Sequence, residues 1–96
     1  MLQQLTITTT DKTTLKPLVE SAIENEKKML SLGIRRTQER LAAFEQRFGM
    51  PSAEFEHRLN TLELAETVEF TEWRMEIGML NLLESQYQAL QEVQLD

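Results

Sequence analysis

The chain has no cysteine among its 96 residues, one histidine, two prolines and three glycines. Without cysteine there is no disulfide framework and no thiolate metal site, which fits a reducing compartment. With His57 as the single imidazole, the residue types that most often carry metal or nucleophilic chemistry are nearly missing. No Gly-rich phosphate loop, Ser-His-Asp set or His-Glu-x-x-His pair occurs. No catalytic residue, metal ligand or cofactor site is therefore expected, and the chain reads as a non-enzyme. No apolar run reaches about 18 residues, and no basic stretch leads into an apolar one at the start. These absences predict a soluble, cytoplasmic protein. Scarce glycine and proline, with abundant Glu, Leu, Gln and Ala, predict an all-α fold.

Bases are scarce in one half only. Residues 1–40 hold seven bases (Lys12, Lys16, Lys27, Lys28, Arg35, Arg36, Arg40) against five acids. Residues 41–96 hold three bases (Arg47, Arg58, Arg74) against eleven acids, so the formal charges are +2 and -8. A strongly acidic half repels nucleic acid and attracts basic protein surfaces.

The main periodic feature runs from Leu15 to Phe48. On a helical wheel Leu15, Val19, Ile23, Leu30, Gly33, Ile34, Thr37, Leu41, Phe44 and Phe48 fall in a stripe about 100° wide. From Leu30 the steps alternate four and three, as in a coiled-coil seam. Asp11, Thr13 and Thr14 offer capping oxygens before the run, and Pro17 belongs near a first turn, which predicts a start near Thr14. The stripe continues in phase through Gly33, so one long helix is expected, with Gly33 admitting a close neighbour. Glu26 interrupts the apolar stripe, either as a carboxylate reaching out at its edge or as a polar register device. Gly49 and Pro51 should end the helix near Phe48.

Ser52 reads as the N-cap of a short helix from about Ala53 to Leu62, with Phe55, Leu59 and Leu62 as its buried side. A last helix is expected from about Thr67 to Val93. Val68, Met75, Met79, Leu82 and Val93 lie on one side of it; Phe70, Trp73, Ile77, Leu80 and Tyr87 lie on another, and Leu83 and Leu90 fall between. That arc of about 240° exceeds what one hairpin contact covers. One side should pack on the Leu15–Phe48 stripe, the other on a second copy or another protein. Gln4–Thr9 alternates as a strand does, and reads equally as a paired strand or a disordered tail. The expected architecture is an antiparallel long-helix hairpin with a short middle helix, prone to oligomerise. Residues 1–13 form an extended or disordered arm, and residues 14–96 one helical domain.

Two candidate sites emerge. The face of Phe70, Trp73, Ile77, Leu80 and Tyr87, with Glu69, Glu72 and Glu76 beside it, serves either core packing or partner binding; Trp and Tyr are frequent interface anchors. Glu69, Glu72 and Glu76 alone do not make a dinuclear metal site, which needs Glu-x-x-His elements that are missing. Lys27, Lys28, Arg35, Arg36 and Arg40 form a basic cluster available for phosphate contact.

The series Arg36-Thr37-x-x-Arg40-Leu41-x-x-Phe44-Glu45, then Phe48-Gly49-Met50 with Ser52 and Phe55, then Glu72-Trp73, resembles a set of short helical prokaryotic proteins. Those proteins are associated with toxin–antitoxin-like gene pairs, as the antitoxin-side member. The resemblance spans roughly residues 15–93; where many such sequences carry an Asp-rich turn before Glu-Trp, this chain has Leu64-Ala65-Glu66-Thr67-Val68. It implies a protein-interaction module that neutralises a small basic toxin by covering its active surface. A ribbon-helix-helix-like DNA-binding regulator, built from Gln4–Thr9 and a helix broken at Gly33, is one alternative. A homo-oligomeric coiled-coil adaptor is the other.

Overall fold

The computed structural model describes residues 5–93 and is all-helical, with no strand among those residues. Three helices follow in order: α1 (Lys12–Phe48), α2 (Ser52–Asn60) and α3 (Val68–Gln91). Leu5–Thr9 have no regular structure, with Leu5 and Ile7 exposed, so no strand forms there; Gln4 lies outside the described residues.

Helix α1 starts at Lys12, two residues before Thr14, because Asp11 takes the cap: its carboxylate accepts the Thr14 N–H at 3.1 Å. Pro17 therefore sits inside the helix, where it cannot donate to the Thr13 carbonyl. The helix runs unbroken through Gly33. The reason lies on α3: a Cβ at position 33 would stand 3.3 Å from Leu83 Cδ1, so the missing side chain is the space that Leu83 fills. Leu30, Thr37 and Leu41 are buried, and the other members of the stripe are half-buried. Glu26 is exposed, as an edge carboxylate. Gly49 ends the helix in the left-handed conformation (φ 67°), its N–H returning to the Glu45 carbonyl at 2.9 Å.

Helix α2 begins one residue earlier than expected. Pro51, not Ser52, is the N-cap, and it offers no side-chain oxygen. The first-turn donors find another acceptor: the Glu45 carboxylate takes the Ser52 N–H at 2.7 Å, tying the end of α1 to the start of α2. Phe55 and Leu59 are buried, but Leu62 is not; it is 88% exposed. The helix stops at Asn60, and Leu62 turns left-handed (φ 61°) beyond it. The Leu62 and Glu63 N–H groups return to the Leu59 and Arg58 carbonyls, a Schellman closure with leucine where glycine is usual. Helix α3 is shorter than expected by one residue at its start and two at its end, and Thr67 caps it by accepting the Phe70 N–H at 3.0 Å.

Helices α1 and α3 lie against one another. Three contacts give their register: Gly33 with Leu83, Arg40 with Glu76 at 3.3 Å, and Arg47 with Glu69 at 2.9 Å. Each step of seven residues forward on α1 is a step of seven back on α3, the repeat of a heptad seam. The molecule is a rod of 59 × 24 × 18 Å. Its length is that of α1, since 37 helical residues span about 55 Å.

The core sits at the end where α2 joins the pair. Trp73 and Phe55 are fully buried and stack face to face, centroids 3.9 Å apart and 2° from parallel. Phe44 and Phe48 lie nearly parallel to the indole at 5.6 and 5.7 Å, and Phe70 meets it at 58°. Five of the six aromatic residues thus form one cluster, closed by Leu41, Leu59 and Ile77. The Trp73 indole N–H donates to Ser52 Oγ at 3.0 Å, so the first residue of α2 satisfies the buried indole.

Candidate interaction surfaces

The two apolar sides of α3 have distinct fates. Trp73 and Ile77 are buried, and Phe70, Leu80 and Tyr87 are half-buried. Of the two roles expected for this side, core packing is the one Trp73 and Ile77 take in the single chain, with Phe70 and Leu80 packed against their cluster. The cause is local: α2 sets Phe55 on the indole and Ser52 under its N–H, a site no solvent-facing tryptophan has. Of the carboxylates grouped with them, Glu76 pairs with Arg40 and Glu69 with Arg47, while Glu72 is exposed. One Glu76 oxygen is buried without a hydrogen-bond partner.

The opposite side of α3 faces solvent. Val68 is 76% exposed, Met75 67%, Leu82 51% and Met79 46%. At about 100° per residue, Val68, Thr71, Met75, Gly78, Met79, Leu82, Ser85, Gln86 and Ala89 fill an arc of about 120°. No charged residue lies within it. The sequence Met75, Met79, Leu82, Gln86, Ala89 steps by four and three in alternation, the spacing of a helix-on-helix seam.

Helix α1 carries a second such line that the sequence reading did not pick out. Leu18, Ala22, Asn25, Met29 and Leu32 step by four and three and are all exposed, with Leu18 at 61%, Met29 at 59% and Leu32 at 50%. The signal was present in the spacing but was masked by the stronger stripe beside it. Both lines border the same flank of the rod. Arg40 lies three turns along α1 from Met29, and its partner Glu76 lies one turn before Met79 on α3. The other flank, at the aromatic end, is the one α2 covers.

At the open end, a cleft of about 310 Å³ separates Glu20, Ile23, Glu24 and Lys27 from Leu90, Gln91 and Val93. Residues 12–19 of α1 continue for about 12 Å beyond the cleft. The whole chain exposes 7581 Å², against about 5,700 Å² for a compact monomer of its mass. The extended arm, the two bare helical lines and the overhang all contribute to that surplus.

The basic residues of α1 do not form one face. Lys27 pairs with Glu24 and Arg40 with Glu76, Lys28 and Arg35 point along one side, and Arg36 sits on the Met29 side. Among the described residues no group of three or more His, Asp or Glu side chains is placed to hold a metal ion; His57 is exposed on α2. No helix of the described residues is long and apolar enough to cross a membrane. No known protein family, curated relative or solved structure matches the chain.

Proposed function

We propose that this chain is a non-catalytic protein-interaction module whose outer α3 face docks against protein helices. The supporting observation is the exposed, uncharged face of α3 with its four-and-three spacing. An apolar helical face with that repeat matches a helical groove or another helix, and isolated surface methionines and leucines do not produce it. In this reading the helices form an antiparallel hairpin, the α2-bearing end is its rigid base, and the second half presents the working surface.

The antitoxin-like form of this reading adds a small basic partner. The charge of -8 over residues 41–96 supports it, with Glu63 and Glu72 exposed near the start of α3. Such a rim steers a basic protein toward the chain and opposes wrong partners. The DNA-binding alternative has less support: α1 is unbroken at Gly33, Leu5–Thr9 form no strand, and the basic residues are dispersed.

The test is co-expression of the tagged chain with the product of the neighbouring gene, which the reading expects to be a small basic protein, followed by affinity capture at low salt. The reading expects a stoichiometric complex that dissociates as salt rises. It also expects Glu63→Lys with Glu72→Lys to weaken capture at least tenfold. Capture indifferent to salt and to both reversals, or no capture at all, removes the antitoxin-like form.

A further inference from the structure

We infer that the bare flank of the rod receives a second copy of this chain, with α1 of one copy lying on α3 of the other. The inference rests on the reading of the α3 face as a docking surface and names its occupant. Two observations support a second copy over another partner.

First, both long helices present seams on the same flank. Met29 and Leu32 stand on α1, and Met79, Leu82 and Ala89 on α3. A surface made of two adjacent helical seams fits another surface of two helices, and the chain itself is such an object. Rotating one copy by a half-turn about the rod axis brings its α3 onto the partner's α1, with all neighbouring helices running in opposite directions. The same heptad register then serves within and between chains.

Second, the charges sort in that arrangement. The α1 line runs on into Arg36, and the α3 face is bordered by Glu72. Placing α1 on α3 sets a helix with eight bases and five acids (net +3) on one with a single base and four acids (net -3), whereas α3 on α3 would oppose two helices of net -3.

The full chain is tested by light scattering coupled to size exclusion at tens of micromolar. The mass expected is twice the 11.2 kDa of one chain. Leu82→Glu and Leu32→Lys each alter a side chain at least half exposed, so each variant keeps the helical spectrum of the parent. Each alone is expected to run as a monomer, its dimer weakened more than about thirtyfold. Mixed in equal amounts, the two recover the dimer, because the altered α1 of one then meets the altered α3 of the other. A monomeric parent overturns the inference, as does a dimer untouched by either change. A dimer that mixing does not restore overturns the α1-on-α3 arrangement. If Leu82→Glu is monomeric and still captures the basic protein, the two surfaces are separate. If the parent is monomeric while Leu82→Glu loses that protein, the docking face stands and its occupant is not a second copy.

Discussion

The contact of Gly33 with Leu83 makes a quantitative prediction through a pair of glycines. Both Gly33 and Gly78 lie inside helices, where alanine is favoured over glycine by about 1 kcal/mol. A Cβ at Gly78 meets nothing within 4 Å, so Gly78→Ala should gain nearly all of that in the monomer. At Gly33 the new methyl stands 3.3 Å from Leu83 Cδ1 and 3.9 Å from Cδ2. Leu83 must swing away, and a side chain about 30° off its rotamer loses roughly 0.5–1.5 kcal/mol. Gly33→Ala should therefore be near neutral, about 1 kcal/mol less stable than Gly78→Ala. For a domain of this size that gap is about 4–8 °C in the melting midpoint. Gly33→Val, which adds two more methyl groups in the same space, should fall below the parent by about 1–3 kcal/mol. Thermal and urea unfolding followed by helical circular dichroism measures all three, with Leu82→Glu as the common background so that self-association does not enter. If Gly33→Ala stabilises as much as Gly78→Ala, Leu83 does not rest on Gly33 and the register of α1 on α3 is wrong.

Three smaller changes probe the joints of the fold. Ser52→Ala leaves the buried Trp73 N–H without its acceptor and should cost about 1–3 kcal/mol in urea unfolding, with the helix content unchanged. Leu62→Gly relieves a left-handed leucine that makes no core contact, and should raise stability by up to about 1 kcal/mol; a loss instead would mean that Leu62 is held by packing. Asp11→Ala removes the α1 cap and should cost about 1 kcal/mol, read as faster amide exchange confined to the first turns of α1.

How much of this was legible in the residues follows from what periodicity encodes. The long helix, its passage through Gly33 and its end at Gly49 follow from a stripe in phase and a glycine before Pro51, and the structure agrees on each. The small shifts at helix starts turn on single groups. Asp11 outcompetes the threonines for the α1 cap, and Ser52 enters α2 as its first residue, where its hydroxyl meets the Trp73 indole. Neither outcome is decided by local spacing. The larger difference concerns α3, whose two apolar sides are equally visible on a wheel. Which side turns inward depends on Phe55 arriving from α2 to stack on Trp73, and on Leu83 finding the gap at Gly33. Both are contacts between residues far apart in sequence. The spacing therefore leaves the bulky aromatic side open to core packing or partner binding, and in the single chain the methionine side is the exposed one. Leu62 follows the same logic: its place on the α2 wheel assumed a helix that stops two residues earlier.

The central claim, that a second copy of the chain covers the outer α3 face, has one direct measurement. Met29, Met75 and Met79 stand 59%, 67% and 46% exposed on the proposed surface of the single chain. Their oxidation by dilute peroxide can be followed peptide by peptide, with free methionine as the reference rate. The account predicts that all three oxidise near the reference rate at nanomolar concentration and several-fold more slowly at tens of micromolar, with Leu82→Glu abolishing the protection. Equal rates at every concentration, in the parent and the variant alike, would contradict it.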